Sequence, residues 1–374
     1  MDWRPWLERW SEEWIRAADE TEKLEPDVVR DRWLGYAPAT RATVEAAEER
    51  LGVRLPPSYR EFLLTTDGWR DAGIFVWRMS HASELGWVRD LQSYWTEWDD
   101  LTDAEDGETG PVTRGLLISA EADAGILFLD PGDIDEDGEW AAYSLFSWRA
   151  APPVRHASFR ALMESLYAEF HLMRQPDGPT HDEWVAKVEQ ARIDALAGAV
   201  DEAEAVFRRA EEFGITRARL LHAQLLCFMG RDGEAVGAFA GLLGEEGVSA
   251  RALFAEEFLP LMFLDHERRY HTWRSALQSV VAADDPELVL LVAEHHARRR
   301  RGEAVLSSFG NAAFDTAVHD ALDRHAGDPA ALRRAVLDAL PLWTPRTPDH
   351  IAPVALLAEP ALAAAFEGDH GVTC

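Results

Sequence analysis

The chain has 374 residues, 47% of them apolar, and a formal net charge of −30. That length allows two domains with separate cores, and such acidity repels nucleic-acid phosphate and anionic membrane while favouring basic partners. No apolar run reaches the length of a membrane span, and the first residues form an acidic amphipathic pattern unlike a secretory or transit signal. With only Cys227 and Cys374, no disulfide framework is expected, and a cytoplasmic location follows. Lysine occurs only at 23 and 187 beside abundant arginine and alanine, a usage that fits a GC-rich bacterial genome.

Trp3, Trp6, Trp10 and Trp14 lie on one stripe of a helix, which is expected to dock on the domain core; turned outward, it would be an aromatic partner platform. A short helix is predicted over Pro26 to Leu34. Val44, Ala47 and Leu51 then share a helix face opposite Glu45, Glu48 and Glu49. Gly52 ends that helix, and Pro56-Pro57 set the start of a second, Ser58 to Thr66, that buries Tyr59, Phe62 and Leu63. Ile74 to Met79 reads as a strand. Glu84 to Trp98 has helical spacing through Leu85, Val88, Leu91 and Trp95. Gly115 to Ala120, Gly125 to Asp130 and Glu139 to Phe146 read as an antiparallel meander, closed by a helix over Phe159 to Phe170. Helices followed by a meander make an α+β domain rather than a βαβ one.

Residues 1–174 are therefore assigned to that α+β domain and 175–179, Gln-Pro-Asp-Gly-Pro, to a linker. Residues 180–345 are read as an all-α, helical-repeat-like domain. Asp201 to Phe207 is echoed by Asp232 to Phe239 at an offset of 32, and more weakly at 301–309. This period resembles tetratricopeptide-type helix pairs. The stretch 346–374, broken by prolines, is expected to be a tail with a mobile end.

The run E-R-L-G-V-R-L-P-P-S-Y-R-E-F-L from Glu49 to Leu63, followed by T-D-G-W at 66–69, resembles the signature of the SUKH superfamily, the Smi/Knr-like domain of yeast cell-wall-assembly regulators. LLISAEADAGILFLDPGD resembles the family's strand pair and HASFRALMESLYAEF its closing helix, so the likeness spans about residues 36–172. It implies a shared scaffold without a catalytic motif, and, since many bacterial members are held to be immunity proteins against polymorphic toxins, a role in toxin neutralisation.

Candidate chemistry is sparse. Asp133-x-Asp135-x-Asp137-Gly138 begins like a calcium loop, but position twelve is Ser144 instead of a bidentate Glu, so an acidic turn is expected. His266 and His271 stand five apart where zinc-protease chemistry needs four. The run Arg298 to Arg301 after His295-His296 reads as a solvated helix end. Phosphate loops, nucleophile elbows and dinucleotide fingerprints are absent from the sequence, so no enzyme, cofactor or metal is expected.

One feature stands out. Between Asp99 and Glu139 there are fourteen acidic residues and one basic residue, Arg114. Solvated loops are the plain reading of such a run. A docking face for a basic protein is the functional one, with Trp69, Trp77, Trp98, Asp99, Asp100, Asp133, Asp135, Asp137 and Trp140 as candidates. The expected function is a non-enzymatic protein-binding protein that neutralises a bacterial toxin by occlusion. A regulatory adaptor whose helical repeats grip a partner peptide is the alternative.

Overall fold

Asp2 opens the first helix by accepting the Arg4 N–H, and α1 runs from Trp3 to Ala17. The computed structural model describes residues 2–18, 24–101, 109–242, 253–263, 273, 278, 286–302, 308–325 and 327–366. The His266–His271 motif and Cys374 lie outside these, as does most of the third echo. The chain divides into two compact units, Met1–His181 and Asp182–Cys374.

In the first unit the tryptophan stripe packs inward. Trp3, Trp10 and Trp14 are at most 5% exposed, and Trp6 lies half-buried with its ring centroid 5.3 Å from that of Trp10. Two short helices follow in the order the sequence predicts: α2 (Pro26–Asp31), then α3 (Arg41–Leu51), capped by the Thr40 side chain and ended by Gly52 at φ +72°. Pro57 takes the first position of α4 (Pro57–Thr65), where its missing N–H needs no partner, and Tyr59, Phe62 and Leu63 are fully buried.

The turn after α4 is fixed by its own side chains. The Thr66 hydroxyl accepts the Tyr36 N–H at 2.8 Å and donates to the Gly68 carbonyl at 2.7 Å, and Asp67 accepts the Ala82 N–H at 2.7 Å. Gly68 has φ +96°, and a Cβ there would lie 2.9 Å from the Met79 carbonyl oxygen. Gly68→Ala should therefore cost clearly more than the roughly 1 kcal/mol expected of Gly52→Ala, whose added Cβ meets open space. Urea unfolding of the two variants checks this; equal losses would contradict it.

The strands form two antiparallel sheets. β1 (Val76–Met79) pairs with β4 (Ser119–Ala122). The larger sheet has the order β2 (Gly86–Trp87), β3 (Leu116–Leu117), β5 (Gly125–Ile134), β6 (Trp140–Phe146), β7 (Val154–His156). The predicted strand Gly115 to Ala120 is thus shared between sheets, and β7 is an addition. The predicted helix Glu84 to Trp98 is not formed. It is replaced by β2, one helical turn, α5 (Val88–Leu91), and a 3-10 segment, Ser93–Leu101. Gly86 pairs with Leu117 across the ladder, which fixes extended backbone where helix was expected, and Leu91 is left 53% exposed. A further turn, α6 (Pro111–Arg114), precedes β3.

Every residue of β6 is buried, because both faces of the sheet are covered. Val88, Trp95 and Val112 pack on Phe128, Tyr143 and Leu145 from one side. On the other lies α7 (Phe159–Arg174), with Phe159, Leu162, Met163 and Phe170 buried.

The second unit is mostly helical. Val200–Glu212, Thr216–Phe228 and Asp232–Leu242 follow one another, and the echoed Ala203 and Ala235 are 1% and 0% exposed, as small residues at helix crossings would be. Cys227 is buried as a small apolar residue. Arg300 ends the helix Pro286–Arg300, where the helix dipole favours cations, and His295 stacks on Phe263 at 4.2 Å. The proline-broken stretch is not a loose tail as far as residue 366. Val354, Ala355, Leu356, Leu357, Leu362 and Phe366 are buried in the unit's core, since the prolines interrupt helix without interrupting the apolar run.

Candidate functional site

Asp103, Glu105, Asp106 and Glu108 lie outside the described residues, and among the described residues the acidic stretch does not form one face. β5 alone is ten residues long. At about 3.3 Å per residue it sets the two ends of its hairpin roughly 30 Å apart, with Asp123 near one and Asp135 near the other. Many of the carboxylates are engaged locally. Asp99 accepts the N–H groups of Val112 and Thr113 at 2.8 and 2.9 Å, capping α6. Asp130, fully buried, holds Arg114 through two bonds of 2.6 and 2.7 Å. Asp133 does the same with Arg155, at 2.6 and 2.9 Å, and these bonds hold its carboxyl below the usual range. Asp135 accepts the N–H groups of Asp137 and Glu139, both at 2.9 Å, so the calcium-like sequence is a turn closing the β5–β6 hairpin. Among the described residues no three His, Cys, Asp or Glu are grouped to hold a metal ion.

The tryptophan candidates separate just as sharply. Trp69 is fully buried and Trp140 is 5% exposed, so neither can anchor a partner: both belong to the core. Trp98 is half-buried against Trp95, and Asp100 and Asp137 are exposed. Trp77 alone of the four is largely exposed, at 53%.

Trp77 opens onto a groove of about 540 Å³, lined also by Trp14, Tyr36, Glu25, Arg70, Asp71, Arg78, Glu121 and Arg174. It gathers α1, the start of α2, the segment after the T-D-G-W turn, the β1–β4 ribbon and the end of α7. Arg70 is 11% exposed at its side chain, donates to Glu25 and Asp27 at 3.0 Å each and to the Gly35 carbonyl at 3.0 Å, and lies 3.9 Å over the Tyr36 ring. Burial in turn raises the Tyr36 hydroxyl above its usual range. Arg78 donates to Glu84 at 2.8 Å and to Glu121 at 3.0 Å, and these carboxylates hold its guanidinium more firmly protonated against the cost of burial. The two guanidinium groups lie inward while Glu25 and Glu121 are about 60% exposed at the rim.

Sequence reasoning found Trp77 but missed Glu25, Arg70 and Arg78. Glu25 and Arg70 are 45 positions apart, and no local pattern links them. No helix among the described residues is long and apolar enough to cross a membrane. Residues 38–165 match the SMI1 / KNR4 family (SUKH-1), so the first unit carries a domain of that family. Neither the curated proteins nor the solved structures contain a match to the chain.

Proposed function

Taking the SUKH domain as the premise, we propose that this is a non-enzymatic protein-binding protein that neutralises a toxin by covering its working surface. Members of the family serve as immunity or regulatory proteins, and the toxin reading takes the first of these roles. The observation that carries the binding assignment is Trp77, an indole 53% exposed at the mouth of a groove with acidic rim groups. Exposed tryptophan beside a concave surface is the residue type that most often dominates a protein interface. The charge of −30 adds steering toward a basic partner.

A regulatory adaptor is the second reading. It is favoured by the succession of helices in Asp182–Cys374 with buried alanines at the echoed positions, a layout suited to gripping a peptide.

The test uses the full chain as bait for its partner. On the first reading Trp77→Ala weakens the complex about tenfold or more and frees the partner's activity. The association rate also falls steeply as salt rises from about 50 to 500 mM, because charge steering is screened. Unchanged binding by Trp77→Ala would move the contact off this groove and favour the adaptor.

A further inference from the structure

Three aromatic rings line the groove, and two are already covered by arginines of this chain. Arg70 lies 3.9 Å over Tyr36, and Arg174 lies 5.0 Å over Trp14. Among the described residues none places a cation over Trp77, the most exposed of the three.

The ion pairs leave negative charge to spare. Arg70 serves two carboxylates, Glu25 and Asp27, and Arg78 serves two, Glu84 and Glu121. Each set of one guanidinium and two carboxylates carries one surplus negative charge. In each set the more exposed carboxylate, Glu25 or Glu121, faces the groove, while the arginine keeps a second partner if the first is shared.

We infer that this groove takes an arginine side chain from a basic segment of the protein partner, stacked on Trp77 and hydrogen-bonded to Glu121 and Glu25. A guanidinium suits the place better than an ammonium. It is planar, it stacks on an indole face, and its fork of N–H groups can meet a carboxylate while still stacked. The assignment rests on the docking reading above and names the chemistry recognised there.

The experiment is calorimetric titration of the full-length protein, at about physiological salt, with peptides of alternating arginine and glycine, lysine and glycine, or glutamate and glycine. The arginine peptide should bind with the protein's own acidity discounted by a control, Glu49→Gln, an exposed carboxylate outside the groove. Trp77→Ala and Glu121→Gln should each weaken it about tenfold, the worth of the one stacked or one charge-assisted contact that each removes. Glu49→Gln should leave it within twofold. Circular dichroism verifies that each variant is folded, and Arg78 keeps Glu84 when Glu121 is changed.

Equal affinity for wild type and the two groove variants overturns the inference, as does equal affinity for the lysine peptide in the case of the guanidinium assignment. The two readings fail separately. If the groove variants lose the arginine peptide yet still hold the partner, the docking reading falls and the arginine site stands. If Trp77→Ala loses the partner while wild type ignores the arginine peptide, the site chemistry proposed here falls alone.

Discussion

Trp69→Ala should lose about 3–5 kcal/mol of folding stability, and Trp77→Ala no more than about 0.5 kcal/mol. Both stand in the same aromatic-rich stretch and both are equally good interface residues by type. Their surroundings differ completely. Trp69 is fully buried, its ring centroid 5.9 Å from that of Trp10 and 5.1 Å from that of Trp33, the latter edge-on at 86°. Truncation opens a cavity where α1, the Trp33 segment and the T-D-G-W turn converge. The Trp69 carbonyl also accepts the Met79 N–H at 2.7 Å, so the disturbance reaches the end of β1. Trp77 is 53% exposed and its removal leaves no void. Urea unfolding of the two variants, followed by far- and near-ultraviolet circular dichroism, reads the difference. A Trp77→Ala loss as large as that of Trp69→Ala would mean that Trp77 is held for the fold, and would take the binding assignment down with it.

What the sequence made legible was local chemistry. The ends of α3 and α4 fall within a residue or so of the expected C-terminal and N-terminal signals, because Gly52 and Pro57 act through their own backbone conformations. The strand pair around Gly125 and the closing helix were equally readable, from alternation and from helical spacing. The predicted helix over Glu84 to Trp98 failed because strand pairing with residues some thirty positions away decided its backbone. The acidic run misled in the same manner. Arg114 and Arg155 reach Asp130 and Asp133 across 16 and 22 positions, so two carboxylates that stand in the acidic run in sequence are neutralised in space. The groove was half legible. An exposed aromatic near acidic groups could be foreseen at Trp77, whereas Arg70 with its two carboxylates exists only once α2 is laid beside the segment that follows α4.

Glu13→Leu should cost about 3–5 kcal/mol, the loss expected when the carboxylate at the centre of a buried polar cluster is removed. Glu13 is 1% exposed. One carboxylate oxygen accepts from the Tyr167 hydroxyl and lies 3.0 Å from His171 Nε2, and the other accepts the Thr180 N–H at 3.0 Å. Tyr167 further bonds the Thr180 hydroxyl at 2.7 Å. The cluster ties α1 to α7 and to the first residues after Gly178, so three donors lose their acceptor together. Burial pushes the carboxyl up, yet the hydrogen bonds from His171, Tyr167 and Thr180 outweigh it and leave its pKa below the ordinary 4.5. A carboxyl whose folded pKa is depressed stabilises the fold fully above its unfolded value, and that contribution drains away as pH falls through the folded value. The wild type should therefore lose stability from this site between about pH 5 and the acid limit, while Glu13→Gln, which has no proton to take up, should show a shallower acid slope. Denaturation midpoints at several pH values between about 3 and 7 measure both slopes; parallel curves for wild type and Glu13→Gln would show that this cluster does not hold the ionised carboxylate that its geometry calls for.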